Sequence, residues 1–118
     1  MLTDEARQSI LESILETIKW ISDKEYQKRV WIRGEGPEVN DFDETCNFFC
    51  DVDPVLEEYK DFRITENQYQ ILKKFRDEFQ KFSEENNLPQ LFIDTPEWTK
   101  ITLMAKEVLD AFGYQNRR

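Results

Sequence analysis

The chain has 118 residues, 39% of them apolar and 14% aromatic, and a net charge of −9 from 25 acids and 16 bases. That is the size of one ordinary domain, with too much packing material for a disordered acidic chain, and its three glycines and four prolines are too few for the turns of an all-β fold. The absence of histidine removes the commonest general base and transition-metal ligand, and the negative balance disfavours nucleic acid and anionic lipid as partners.

The elements follow in order. Thr3 with Asp4 and Glu5 reads as a helix start, and Ala6, Ile10, Ile14, Ile18 and Ile21 recur at helical spacing, which predicts a first helix to about Ser22. Ser22 and Asp23 can restart a short helix through Tyr26. The run Arg29–Arg33 (RVWIR) is β-branched and aromatic, which also suits an extended segment. Gly34, Gly36 and Pro37 then mark a loop, because they supply permissive backbone positions and a residue that cannot donate a hydrogen bond.

Beyond the loop, Phe42, Cys46 and Phe49 fall at i, i+4 and i+7 and predict a short amphipathic helix with Asp43, Glu44, Asn47 and Asp51 on its other faces. Asp53-Pro54 is a cap followed by a residue suited to the first helical position, and Val55, Leu56, Tyr59 and Phe62 make the next apolar stripe. Thr65 with Gln68 has the form of a capping box and opens the longest helix, lined on one side by Tyr69, Leu72, Phe75, Phe79 and Phe82. Asn86-Asn87-Leu88-Pro89 closes it. Thr95-Pro96 starts the last helix, which carries Trp98, Ile101, Ala105, Val108 and Phe112 inward and stops at Gly113. The sum is an all-α fold, a single domain over residues 1–118 with about five helices. The rival is an α+β fold in which Arg29–Ile32 pairs with Gln90–Ile93 as two short strands.

No apolar run approaches the roughly 20 residues that cross a bilayer, and MLTDEARQ has neither a basic start nor a small-residue cleavage site, so the expected compartment is the cytoplasm. Cys46 and Cys50 sit four apart, as two small, reduced, buried groups on one helix face would. There is no second pair of soft ligands to make a zinc site and no glycine-rich phosphate loop. Asp41-x-Asp43 and Asp51-x-Asp53 begin like calcium loops, but neither has the glycine that such a loop needs at its sixth position. No cofactor, metal or catalytic residue is expected.

The distribution of charge is more informative. Between Glu35 and Glu58 there are nine acids and not one lysine or arginine, and setting those nine aside leaves 16 acids and 16 bases in the rest of the chain. A solvated face that keeps the protein soluble would account for acidity but not for its confinement, since solubility is served as well by charge scattered over every helix. Clustered carboxylates repel one another, and a cationic partner relieves that repulsion. The candidate partner-binding residues are therefore Glu35, Glu38, Asp41, Asp43, Glu44, Asp51, Asp53, Glu57 and Glu58. Trp31 joins them as a possible aromatic anchor at the edge of the acidic stretch, its other reading being core. Trp20 and Trp98 read as core.

In its size, its acidity, and the sequence Trp31-Ile32-Arg33-Gly34 followed by Asp41-x-Asp43-Glu44 and Phe48-Phe49, the chain resembles the small acidic immunity proteins of bacterial toxin systems, including those of contact-dependent growth inhibition. The resemblance spans about a quarter of the chain. It implies a non-enzymatic protein that binds a basic toxin domain, for instance a nuclease, and blocks it. Two other functions compete. A helical adaptor or homodimer would use the surplus of aromatic residues, with the charge as solubiliser, and a metal-dependent enzyme would use the carboxylates.

Overall fold

The computed structural model describes residues 3–34, 42, 45–46, 52–86 and 88–114. The fold is all-α: 79% of the described residues are helical, and none of them lies in a strand. Helix α1 is Asp4–Ser22, and α2 is the single turn Lys24–Tyr26, which runs directly into a π-helical segment, Gln27–Ile32. Helix α3 is Val52–Glu57, α4 is Glu66–Glu85, α5 is the turn Pro89–Phe92 and α6 is Pro96–Ala111.

The three long helices each begin on a threonine. Thr3 Oγ1 accepts from the backbone N–H of Ala6 at 3.0 Å, and Thr95 Oγ1 accepts from that of Trp98 at 3.2 Å. At α4 the box is complete: Thr65 Oγ1 accepts from Gln68 N, and Gln68 Oε1 accepts from Thr65 N. These bonds satisfy amides that the first turn of a helix otherwise leaves without acceptors. At its other end α6 stops on Gly113 at φ 65°, with Tyr114 N donating to Leu109 O and Gly113 N to Asp110 O. A left-handed residue is what allows those two bonds to form together.

Helix α6 lies against both α1 and α4. Cross-links along its length fix both directions as antiparallel. Lys24 Nζ donates to Thr99 Oγ1 near its start, while Tyr114 Oη donates to Glu16 Oε2 and Gln68 Nε2 to Ala111 O near its finish. Its inner residues Trp98, Ile101, Ala105, Val108 and Leu109 are all buried and meet Ile14, Ile18 and Ile21 of α1 and Leu72, Phe75 and Phe79 of α4 in one core.

The strand alternative for Arg29–Ile32 and Gln90–Ile93 is overturned, because Arg29–Ile32 is π-helical and Gln90–Phe92 is helical, with Ile93 as its C-cap. Pro89 occupies the first position of α5, where its fixed φ suits a helix and its missing N–H costs nothing. In the other run, the wider π turn brings Gln27, Val30 and Trp31 to the core together. Gln27 is wholly buried and has every side-chain polar group partnered. Its Nε2 donates to the carbonyls of Trp20 and Ile21, the last turn of α1, each at 2.8 Å, and its Oε1 accepts from Trp98 Nε1 at 2.8 Å. One side chain thus caps α1 and fixes the indole of α6.

Around Trp98 the rings of Phe92, Phe82, Phe42, Trp31 and Phe79 stand with centroids 4.7 to 6.4 Å away. Trp98 is core as its spacing predicts, whereas Trp20 is only half-buried, stacked on Tyr26 at 5.7 Å. Phe42, Thr45 and Cys46 are helical, with Phe42 buried and Cys46 partly so, while Phe49 and Cys50 lie outside the described residues.

Candidate recognition surface

Of the nine candidate acids, Asp53, Glu57 and Glu58 are described, and Glu35, Glu38, Asp41, Asp43, Glu44 and Asp51 lie outside the described residues. Helix α3 buries Val52, Val55 and Leu56, which turns Asp53, Pro54 and Glu57 outward. Asp53 is not the cap that its Asp-Pro sequence suggests. It lies in the first turn of a helix that starts one residue earlier, where a carboxylate complements the exposed amides, and its Oδ1 accepts from Arg76 Nη1 of α4 at 2.6 Å. Part of its charge is therefore matched within the chain. Glu57 and Glu58 are exposed.

After α3 the chain turns over Glu58–Arg63 instead of continuing as helix to Phe62. Ile64 N donates to Tyr59 O and Arg63 N to Lys60 O, with Arg63 at φ 60°. This is the same hydrogen-bond pattern that ends α6 at Gly113. The turn lays the Tyr59 ring on that of Tyr69, centroids 4.3 Å apart and planes inclined by 22°. Tyr59 Oη then donates to Glu66 Oε2 at 2.7 Å, and Gln70 Nε2 donates to Glu66 Oε1 at 2.9 Å. The Tyr59 hydrogen bond, followed by that of Gln70, holds the Glu66 carboxyl below its ordinary range. The same contact with Glu66 pushes the Tyr59 phenol up, with burial and the charge of Glu66 adding to it. Glu66 is a tenth acid, next to the acidic stretch in space but not part of it. Its place in the first turn of α4 follows from the Thr65 cap, but its contact with Tyr59 depends on a turn that the sequence does not mark.

Of the two readings of Trp31, core and aromatic anchor, its burial favours core. The residue is 9% exposed, with its ring edge-on to Phe42 at 5.5 Å and tilted to Trp98 at 6.2 Å. Among the described residues no acceptor pairs with its Nε1, in contrast to the partnered indole of Trp98. Among the described phenylalanines Phe42, Phe62, Phe75, Phe79 and Phe92 are buried, and Phe82 and Phe112 are partly buried.

Open grooves run along α1 and between α4 and α6, the second of about 830 Å³ with Ile71, Leu103 and Met104 at its apolar part. Neither groove is lined by Asp53, Glu57 or Glu58. Among the described residues no three cysteine, aspartate or glutamate side chains converge as metal ligands, and no helix is long and apolar enough to cross a membrane. No family model, curated protein or solved structure matches the chain.

Proposed function

We propose that this is a cytoplasmic binding protein that neutralises a basic protein, in the manner of a toxin immunity protein, through the acidic surface that Glu35–Glu58 supplies. One observation carries the reading: the entire excess of negative charge falls in that stretch, while the rest of the chain balances. A nuclease or similar toxin holds an anionic substrate in a basic cleft, and a fixed array of carboxylates competes for the same lysines and arginines. One feature of the fold supports this: Glu57 and Glu58 face outward beside the Tyr59–Glu66 pair, where another molecule can reach them.

The experiment is charge reversal. A pull-down at low salt isolates the partner, and its affinity is then measured for the parent and for the variant Asp41→Lys, Asp43→Lys, Glu44→Lys. Exposed charges add little to stability, so the thermal midpoint should stay level or rise slightly, while affinity should fall by a factor on the order of 100, most steeply at low ionic strength. Reversal of the exposed Glu84, Glu85 and Glu107 should do far less. Equal binding by the Asp41, Asp43, Glu44 variant and the parent would end the proposal.

A further inference from the structure

The groove between α4 and α6 has an apolar centre and a charge order that reads the same from either end once the signs are exchanged. Leu103, 53% exposed, and the partly buried Met104 form that centre on α6, with Ile71 of α4 on the facing wall. Lys100 stands three residues before Leu103 and Glu107 three residues after Met104, and all four line the groove. Spacings of three, one and three keep these side chains on one face of a helix, with the base and the acid each about 5 Å along the axis from the centre. Lys74 and Asp94, one of each sign, complete the charged lining, so in a chain of net charge −9 this face has none. A lone exposed leucine is ordinary; one centred between a base and an acid makes a pattern.

Association about a two-fold axis sets such a stripe against its own reverse, since what lies before the axis on one copy meets what lies equally far after it on the other. With the axis at Leu103 and Met104, the apolar side chains of the two copies meet in the middle, and Lys100 of each copy faces Glu107 of the other. A partner of another kind would have to be made to this pattern, whereas a second copy carries it already. We propose that the groove is a dimer interface in which the α6 helices of two copies pack antiparallel through Leu103 and Met104, held in register by two reciprocal Lys100–Glu107 ion pairs. Within one chain Lys100 Nζ lies 3.6 Å from Glu78 Oε2, but those side chains are 64% and 40% exposed, and so open a pair contributes too little to prevent the exchange. Asp53, Glu57 and Glu58 do not line the groove, and the dimer is independent of the function proposed above.

Sedimentation of the full chain over a range of concentrations tests this. The parent should sediment as a dimer, and Leu103→Asp, at an exposed position, should return it to monomer with its thermal midpoint kept; Leu103→Ser takes its place if the aspartate variant loses its thermal transition. Lys100→Glu alone and Glu107→Lys alone each set like charges opposite one another and should weaken the dimer about tenfold or more, while the two together exchange the signs at both ends and should restore the affinity to within about threefold of the parent. The contact with Glu78 is lost in both Lys100→Glu and the double variant, so it does not account for a difference between them. The rescue is specific to a contact between copies, because a different partner would meet two wrong charges instead of one. A parent still monomeric at about 1 mM overturns the inference, as does a dimer that survives substitution of Leu103 or a double variant no tighter than the single ones. A monomeric parent that draws another protein from a pull-down, and loses it on Leu103→Asp, would give the groove to that protein and likewise overturn the dimer.

Discussion

The core around Trp98 and the outer side of α3 with its following turn handle polar groups in opposite ways. In the core Gln27 has no exposure, and its donor and acceptor are spent on two carbonyls and an indole. On the outer side Glu57 and Glu58 face solvent, and Asp53 relies on a half-exposed ion pair. In the first region a polar group holds the fold, so its loss is felt as stability. In the second the same kinds of atoms contribute little to folding and remain available to another molecule.

The largest effect should come from the core. Phe79, 3% exposed and in ring contact with Phe42, Phe75 and Trp98, should cost about 3 to 5 kcal/mol on replacement by alanine, read from denaturant unfolding. A loss below about half a kcal/mol would mean that the stripe is not the core. Gln27→Ala should come next, at about 2 to 3 kcal/mol, since it strands the buried Trp98 donor and removes the cap from α1. A near-neutral result would show that water replaces the amide.

Arg63 sharpens the comparison from the other side. It occupies the left-handed position that Gly113 fills at the end of α6, and its ion pair with Asp4 is largely exposed. Arg63→Gly should therefore raise stability by about 0.5 to 1 kcal/mol, while an engineered Gly113→Ala should lower it by about 1. A destabilised Arg63→Gly would mean that the guanidinium matters more than the backbone strain.

The smallest effect is one of pH. The Glu66 carboxyl is held below its ordinary range chiefly by Tyr59, so the stability it contributes is present above the unfolded carboxylate pKa and is lost as pH falls through the lower, folded value. The raised Tyr59 phenol acts at the alkaline end, with its contribution present below the unfolded phenol pKa and lost as pH rises through the folded one. Tyr59→Phe should move the Glu66 titration upward toward an ordinary glutamate, followed by NMR of the carboxyl carbon. An unmoved titration would show that Gln70 and the charge of Lys60 set it.

What the sequence made legible was local. The threonines at positions 3, 65 and 95 and Gly113 signal helix ends through contacts within four residues, and all four act as read. What it hid depends on distant partners. Asp53 looks like a cap until Arg76, 23 residues on, is placed beside it, and RVWIR looks extended until Gln27 is seen locked to Trp98, 71 residues away. Trp31 could be read either way because burial, unlike spacing, is decided by Phe42 and Trp98. Arg63 carries no local mark of a left-handed turn. The acidic stretch was legible as composition, and its description extends to Asp53, Glu57 and Glu58.

The antiparallel packing of α6 on α1 also has a bearing on biosynthesis. Tyr114 reaches back 98 residues to Glu16, so the apolar face of the first helix is covered by a helix synthesised long after it. During translation Ile14, Ile18 and Ile21 have no α6 to pack against, and closing so long a loop costs entropy before any contact forms. The nascent chain is therefore open to holdase chaperones and to aggregation until Trp98 and Val108 emerge, and a ribosome stalled before Thr95 leaves a product without its central helix.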